Sequence, residues 1–366
     1  MSFFSHWLLK CFTHRFSIVP ILVLILVFIL ATLFFLPSTR KDSTFALTSS
    51  TMGTYCRIVI AAPNDRHSRR AADSALAQIC ALEALTSTYR QESEVSQLSA
   101  LEPNTPRMLS PEIFTVLERS LYYSRLTDGA FDITVEPLMN LWQAAVKRDR
   151  LPSSEEIAGM LRAIGYDKIA LDPVARTITF RQAGMSVTLN AIIPGYAADL
   201  ALARLRQANL PAALVDIGGE IACFGHPPGR NAWDIGIQNP FQPASAPMDT
   251  SPGAVLATIR LTDAAVSTSG NYQRFFQIAG RHYSHILDPR TGLPVEQAPS
   301  VTVIAPTAAD ADALATACSV LSVSEALKLI NRIPNTEALL ITGSAEAPVF
   351  HTSTGFAKYL LTPLPD

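Results

Sequence analysis

In DADALATA (310–317), Asp312 and Thr316 stand four residues apart in an Ala-rich stretch with a helical pattern. That spacing puts a carboxylate and a hydroxyl on one helix face. Both are hard oxygen donors of the kind Mg²⁺ prefers, an ion that takes one or two carboxylates and completes its shell with water and phosphate oxygens. An aspartate near a helix start also serves as an ordinary cap, so the pair has a structural reading beside the chemical one. SHILDPRTG (284–292) carries a second set of chemical groups. His285 suits proton transfer near neutral pH, and Arg290 offers a planar fork for phosphate. Asp288, Pro289 and Gly292 are equally the residues of a plain turn. The pair Gly218-Gly219 in ALVDIGGEIACFG (213–225) permits a positive-φ turn or a close backbone approach to a ligand. In GAFDIT (129–134), Gly129 ends a helix, and Asp132 is either a ligand for a sugar or adenine or a cap for the next segment.

Positioning these groups requires a folded body, and the composition supplies one. The 366 residues are 48% hydrophobic and 16% charged with a net charge of -2, which excludes a disordered chain and a basic nucleic-acid binder. The uncharged run FSIVPILVLILVFILATLFFLP (16–37) is long enough to span a bilayer, since about 20 residues cover about 30 Å. It closes on Leu33, Phe34, Phe35 and Leu36, where a signal-peptidase site would need small residues, so an uncleaved anchor is expected. Lys10 and Arg15 precede the run and Arg40 and Lys41 follow it; the expected orientation is N-inside. The expected domains are a cytoplasmic stub and anchor (1–37), a polar linker (38–50) and an exported body (51–366). Cys56, Cys80, Cys223 and Cys318 stand far apart with no CxxC pair, so neither zinc nor redox chemistry is signalled.

Within the body, helical spacing of apolar residues occurs at Ala72, Leu76, Ile79 and Leu82, again at Ile113, Val116, Leu117 and Leu121, and over 308–323 and 324–331. Strands are predicted at YCRIVIAA (55–62), TITF (177–180), SVTL (186–189), AALVDI (212–217), VLATIRL (255–261), RFFQI (274–278), SVTVIA (300–305) and EALLIT (337–342). Strands in clusters with intervening helices predict an α+β class rather than a regular βαβ winding. The body is large for one core, and two lobes are expected. NPFQPASAPMDTSPG (239–253), with four prolines, reads as an exposed loop.

Taken together these motifs resemble the ApbE-type FAD:protein FMN transferases. The ordered blocks are TMGTYC (51–56), STYRQESEVSQLS (87–99), GAFDITVEPLMNLW (129–142), GYDKI (165–169), PGYAADLA (194–201), VDIGGEIACFG (215–225), VSTSGNYQRFF (266–276), YSHILDPRTGLPV (283–295) and SVTVIAPTAADADALATA (300–317). The resemblance implies an ApbE-like fold and cleavage of FAD at its pyrophosphate. FMN joins a threonine hydroxyl of a target protein and AMP leaves. It further implies Mg²⁺ held by Asp312, Thr316 and the carbonyl of Ile193; FAD contacts at Met52, Tyr89, Ala130, Phe131, Asp132, Thr188 and Ile286; and His285 as general base. Such proteins sit on the periplasmic side of the bacterial inner membrane and modify subunits of membrane redox complexes, which agrees with the anchor read above. An FAD pyrophosphatase, or a non-catalytic FAD-binding assembly protein, would use the same site.

One block departs from the family pattern. Where relatives commonly read D-L-G-G-I-A-K/E-G-Y-A, this chain reads TLNAIIPGYA (188–197), so Thr188 replaces an aspartate and Pro194 a charged residue. A missing charge-assisted contact implies flavin binding weaker by about 1.5 to 3 kcal/mol.

Overall fold

The computed structural model describes residues 43–242, 253–270, 275–295 and 300–365. The expected anchor (16–37) and most of the proline-rich loop lie outside the described residues; among those described, no helix is long and apolar enough to cross a membrane.

The chain begins with β1 (Phe45–Thr51) and β2 (Thr54–Ile60), whose alternating burial marks one face turned inward. They pair as a hairpin closed by Met52-Gly53, with φ of 52° and 71°, the positive values that a two-residue hairpin loop requires. Helices α1 (Arg66–Thr86), α2 (Glu94–Leu98), α3 (Pro111–Leu126), α4 (Glu136–Arg148) and α5 (Ser154–Leu161) follow, with the short β3 (Arg107–Met108) between α2 and α3. Next come β4 (Ile169–Asp172), β5 (Thr177–Phe180) and α6 (Ile193–Gln207). A run of strands succeeds them: β6 (Ala213–Ile217), β7 (Glu220–Phe224), β8 (Trp233–Gln238), β9 (Val255–Leu261), β10 (Ala264–Gly270), β11 (Phe275–Ile278), β12 (Arg281–Ser284) and β13 (Ser300–Ala305). The described chain closes with α7 (Ala308–Val320), α8 (Val323–Ile330), β14 (Glu337–Gly343) and β15 (Pro348–Thr352).

The frame is an eight-stranded antiparallel sheet in the order β1-β2-β6-β7-β10-β13-β14-β15. Its central strand β13, SVTVIA, is buried along its whole length because both sheet faces are covered. Val301, Val303 and Ala305 face the main core, which Ala72, Ile79, Ala198, Leu205 and Leu314 complete from α1, α6 and α7. Ile304 points the other way, into a second core closed by Trp233, Ile235 and Ile259 of the β8–β9 ribbon. A third cluster, around Leu138, Trp142 and Phe276, joins α4 to the β11–β12 hairpin.

The mixed α/β class agrees with the expectation, while three details differ. Residues Asp42–Asp366 hold together as one compact unit, so the surplus length divides the interior into three clusters rather than making two lobes. SVTL (186–189) forms no strand: Thr188 N–H donates to Ile133 O at 2.8 Å, and Asn190 N–H donates to the Thr188 hydroxyl at 3.4 Å. The helix from Ala308 ends at Val320 because Ser322 caps the next one, accepting from Glu325 N–H.

Candidate active site

Two helix N-termini meet, and Asp312 lies where they touch. At the start of α6, Ile192 offers no side-chain cap. Ile193 N–H donates to Leu189 O at 2.8 Å, Pro194 has no N–H, and Tyr196 N–H donates to Ile192 O at 2.9 Å. The remaining amide, Gly195 N–H, donates to Asp312 Oδ2 at 3.2 Å. A glycine is needed there: a Cβ would stand 2.3 Å from the Ala308 carbonyl oxygen of α7. Thr316 lies one turn after Asp312 on the same face and is half-buried, with its hydroxyl 3.5 Å from that of Ser269 on β10.

Asp312 is 5% exposed, and among the described residues no Lys, Arg or His forms an ion pair with it. Burial, together with the charge of nearby Asp199, raises its carboxyl above the ordinary range. A buried carboxylate with one amide donor and no counter-charge is costly unless a cation joins it. Asp312 and Thr316 share one α7 face, and the Gly195 N–H bond brings the first turn of α6, with the Ile193 carbonyl, against Asp312; as ligands these three oxygens would suit a hard cation such as Mg²⁺. No group of three His, Cys, Asp or Glu residues placed to hold an ion occurs among the described residues, so one carboxylate would serve, with water and phosphate as the other donors.

Two glycine-bearing turns lie side by side at the same end of neighbouring strands, because β2 and β6 are paired antiparallel. In the first, Met52 is held at positive φ by Glu83 of α1, which accepts from Met52 N–H at 2.8 Å and from the Thr51 hydroxyl at 2.7 Å. In the second, Gly218-Gly219 closes the β6–β7 hairpin, the plain-turn reading of that pair. Gly218 also admits Thr54, which a Cβ there would meet at 2.8 Å. Asp216 binds the turns together by accepting from Gly219 N–H at 3.0 Å and the Tyr55 hydroxyl at 3.2 Å. Burial raises the Asp216 carboxyl to about 6.

The GAFDIT segment serves the fold first. Ala130 and Phe131 are buried at 1% and 2% exposure, the Phe131 ring meets Tyr123 edge-on within the core, and both amides are held by Thr127: Phe131 N–H donates to its hydroxyl at 3.0 Å and Ala130 N–H to its carbonyl at 3.1 Å. Asp132 accepts from Thr134 N–H at 2.8 Å, from the Thr134 hydroxyl at 2.7 Å, and from Tyr166 N–H at 2.8 Å. It thus caps the next turn and ties it to GYDKI. Beside it, Thr188 is buried, and its side chain and that of Asn140 act on the carboxyl of Glu136, which burial raises above its ordinary value. A carboxylate, Glu136, thus stands next to Thr188.

In SHILDPRTG, Gly292 N–H donates to Asp288 O at 2.8 Å and the Trp142 indole donates to Gly292 O at 3.0 Å. Arg290 is not free for phosphate as its residue type suggested: Nε and Nη2 each donate to Asp288 at 2.9 Å, because both residues lie on one tight turn. The turn holds Ile286, 8% exposed, whose N–H donates to the Ser284 hydroxyl at 3.0 Å, and half-buried His285 just before it. A cavity of about 970 Å³ opens against the start of this turn, walled by His282, Tyr283, Ser284, Trp142, Leu293 and Val320, while His285 and Ile286 are not part of its wall. Val320 continues the α7 face of Asp312 and Thr316 at the same four-residue step. One helix face thus carries the buried oxygen donors and, one step further on, a residue of the cavity wall. Tyr89 is not gathered in: it stands in the α1–α2 connection, 90% exposed.

Sequence reasoning missed Glu83, Glu136 and Asp199. Asp199 was legible as the acidic residue of PGYAADLA; Glu83 has no local signal, its partner Met52 being 31 positions away, and the pairing of Glu136 with Thr188 spans 52 positions, although Asn140 lies only four residues on.

Residues 52–340 match the model of the ApbE family. A protein of Treponema pallidum named FAD:protein FMN transferase is 32% identical over 311 residues, covering 79% of this chain and 82% of the relative. One of the same name from Haemophilus influenzae is 32% identical, covering 74% and 78%. Among solved structures, an ApbE protein of Thermotoga maritima superposes with a TM-score of 0.76 at 29% identity, covering 87% of this chain and 99% of that one. The flavinyl transferase ApbE of Pseudomonas stutzeri in its apo form gives 0.75 at 28% identity, covering 88% and 98%.

Proposed function

The chain belongs to the ApbE family, and we propose that it catalyses the reaction for which its relatives are named, FMN transfer from FAD to a protein. In this reading the acceptor is a threonine hydroxyl of a membrane redox subunit, the leaving group is AMP, and Mg²⁺ is required. The observation that carries the proposal is the single α7 face that holds the buried Asp312, Thr316 and, one step on, Val320 of the cavity wall.

Asp312, Thr316 and the Ile193 carbonyl would hold Mg²⁺, which when bound neutralises charge on the pyrophosphate and on departing AMP. The chain's own groups do the rest. Met52 and its neighbouring glycine turn, the backbone of Ala130 and Phe131, Asp132, Ile286 and the Thr188–Glu136 pair would orient FAD. Tyr89, exposed in the structure, would cover the flavin from outside. His285 would accept the proton of the threonine hydroxyl as its oxygen bonds to the FMN phosphorus. The pyrophosphate P–O bond breaks, and AMP leaves with the bridging oxygen. In phosphoryl transfer such placement and electrostatics supply most of the rate. The run 16–37 would tether the domain to the bacterial inner membrane, on the periplasmic side.

The test is AMP release from FAD with and without Mg²⁺, with a threonine-bearing target present or omitted. The proposal expects release to need both. Release that needs no protein acceptor identifies a pyrophosphatase instead.

A further inference from the structure

The oxygen donors proposed for the metal lie on two different helices, so their spacing depends on what fixes α6 against α7. Besides their apolar packing, a reciprocal pair of hydrogen-bonded carboxylates does this. From α7, Asp312 accepts the Gly195 N–H of α6 at 3.2 Å. From α6, Asp199 accepts from α7: Oδ1 takes Ala308 N–H at 2.8 Å and Oδ2 takes Ala309 N–H at 2.9 Å. Thr307, the N-cap of α7, accepts Asp310 N–H at 3.2 Å, which leaves Asp199 as the cap for the two amides before it. Each helix thus has its first turn closed by a carboxylate of the other. Gly195 allows the contact, with the Ala308 carbonyl where its Cβ would be.

Resting on the metal reading above, we propose that Asp199 is a positioning residue for the metal site, holding α7 in register so that Asp312 and Thr316 face the Ile193 carbonyl. It touches neither substrate nor metal. Both Asp199 oxygens are committed to α7 amides, and Asp312 gives Oδ2 to Gly195, keeping Oδ1 for a cation. Partners that orient a ligating group typically change metal affinity about 10- to 100-fold when lost. Asp199→Asn has one acceptor oxygen for two amides and would loosen the clasp without emptying it.

The experiment measures Mn²⁺ affinity by the electron paramagnetic resonance signal of free Mn²⁺, on the full chain without FAD, beside thermal melting. The variants are Asp199→Asn, Gly195→Ala, Asp312→Asn and Thr307→Ala. Thr307→Ala removes a different cap from α7, so it lowers helix stability while leaving the clasp whole. The expected result is loss of Mn²⁺ binding in Asp312→Asn, affinity about tenfold or more weaker in Asp199→Asn and Gly195→Ala, and near-native affinity in Thr307→Ala. Native affinity in Asp199→Asn, with binding lost in Asp312→Asn, overturns the positioning role and leaves the metal reading intact. Equal weakening in Thr307→Ala and Asp199→Asn also overturns it, since general loosening of α7 would then suffice. Native affinity in Asp312→Asn, or no binding by the native protein, overturns the metal reading and the positioning role with it. Should Asp199→Asn fail to fold, Gly195→Ala decides by the same criteria.

Discussion

Met52 N–H and the carboxylate of Glu83 stand 2.8 Å apart, and the same carboxylate accepts the Thr51 hydroxyl at 2.7 Å. One side chain of α1 thereby fixes the turn in which Met52 adopts a φ of 52°. A non-glycine residue held there costs on the order of 1 kcal/mol or more and needs such a clamp.

Glu83→Gln leaves one oxygen for two donors and turns an amide toward the other. Stability should fall by about 1 to 2 kcal/mol, and FAD affinity should fall with it while kcat at saturating FAD changes less. Urea unfolding and FAD fluorescence titration check this; an unchanged FAD affinity would separate the turn from flavin binding.

Glu136 and Thr188 predict a charge-swap pattern. Placing a second carboxylate at 188 beside the half-buried Glu136 should weaken FAD binding in Thr188→Asp, because like charges would share one desolvated site. The double variant Thr188→Asp, Glu136→Gln should recover most of the native affinity. Calorimetric titration with FAD checks it, and additive losses in the double variant would remove Glu136 from the site.

Stability should depend on pH through Asp216. Its carboxyl is raised to about 6 by burial in the folded chain, against about 3.9 when exposed. The folded state therefore binds more protons between those values, so this contribution is present below about pH 4 and is lost as pH rises through about 6. Relative to Asp216→Asn, the native chain should lose on the order of 2 kcal/mol between pH 4 and 6.5. Urea unfolding at both pH values measures it, and a constant difference would contradict the assignment.

His285→Ala should slow flavin transfer at least about 100-fold, the lower end for general-base catalysis, with FAD affinity little changed. Single-turnover kinetics separate the two quantities. A loss well below that would make His285 a turn residue only.

Much of the frame was legible because local periodicity carries it. The apolar spacing at Ala72, Leu76 and Ile79 is α1, and SVTVIA is a strand buried on both faces. The pair Asp312 and Thr316 was legible because a four-residue step on a helix survives any tertiary arrangement. Contacts made across the fold were not legible. SVTL has the composition of a strand, yet Thr188 N–H is taken by Ile133. Within a single turn, too, residue type can mislead: Arg290 looks like a phosphate ligand, yet Asp288, two residues before it, takes its Nε and Nη2. Glu83, Glu136 and Asp199 gain their roles from partners that only the folded chain brings near.

The most direct measurement is mass spectrometry of a threonine-bearing target co-expressed with the native chain, with Asp312→Asn, and with His285→Ala. FMN on a single threonine with the native chain, and its loss with Asp312→Asn, is the predicted result. FMN and AMP released with the target left unmodified, or an adduct undiminished in Asp312→Asn, would contradict it.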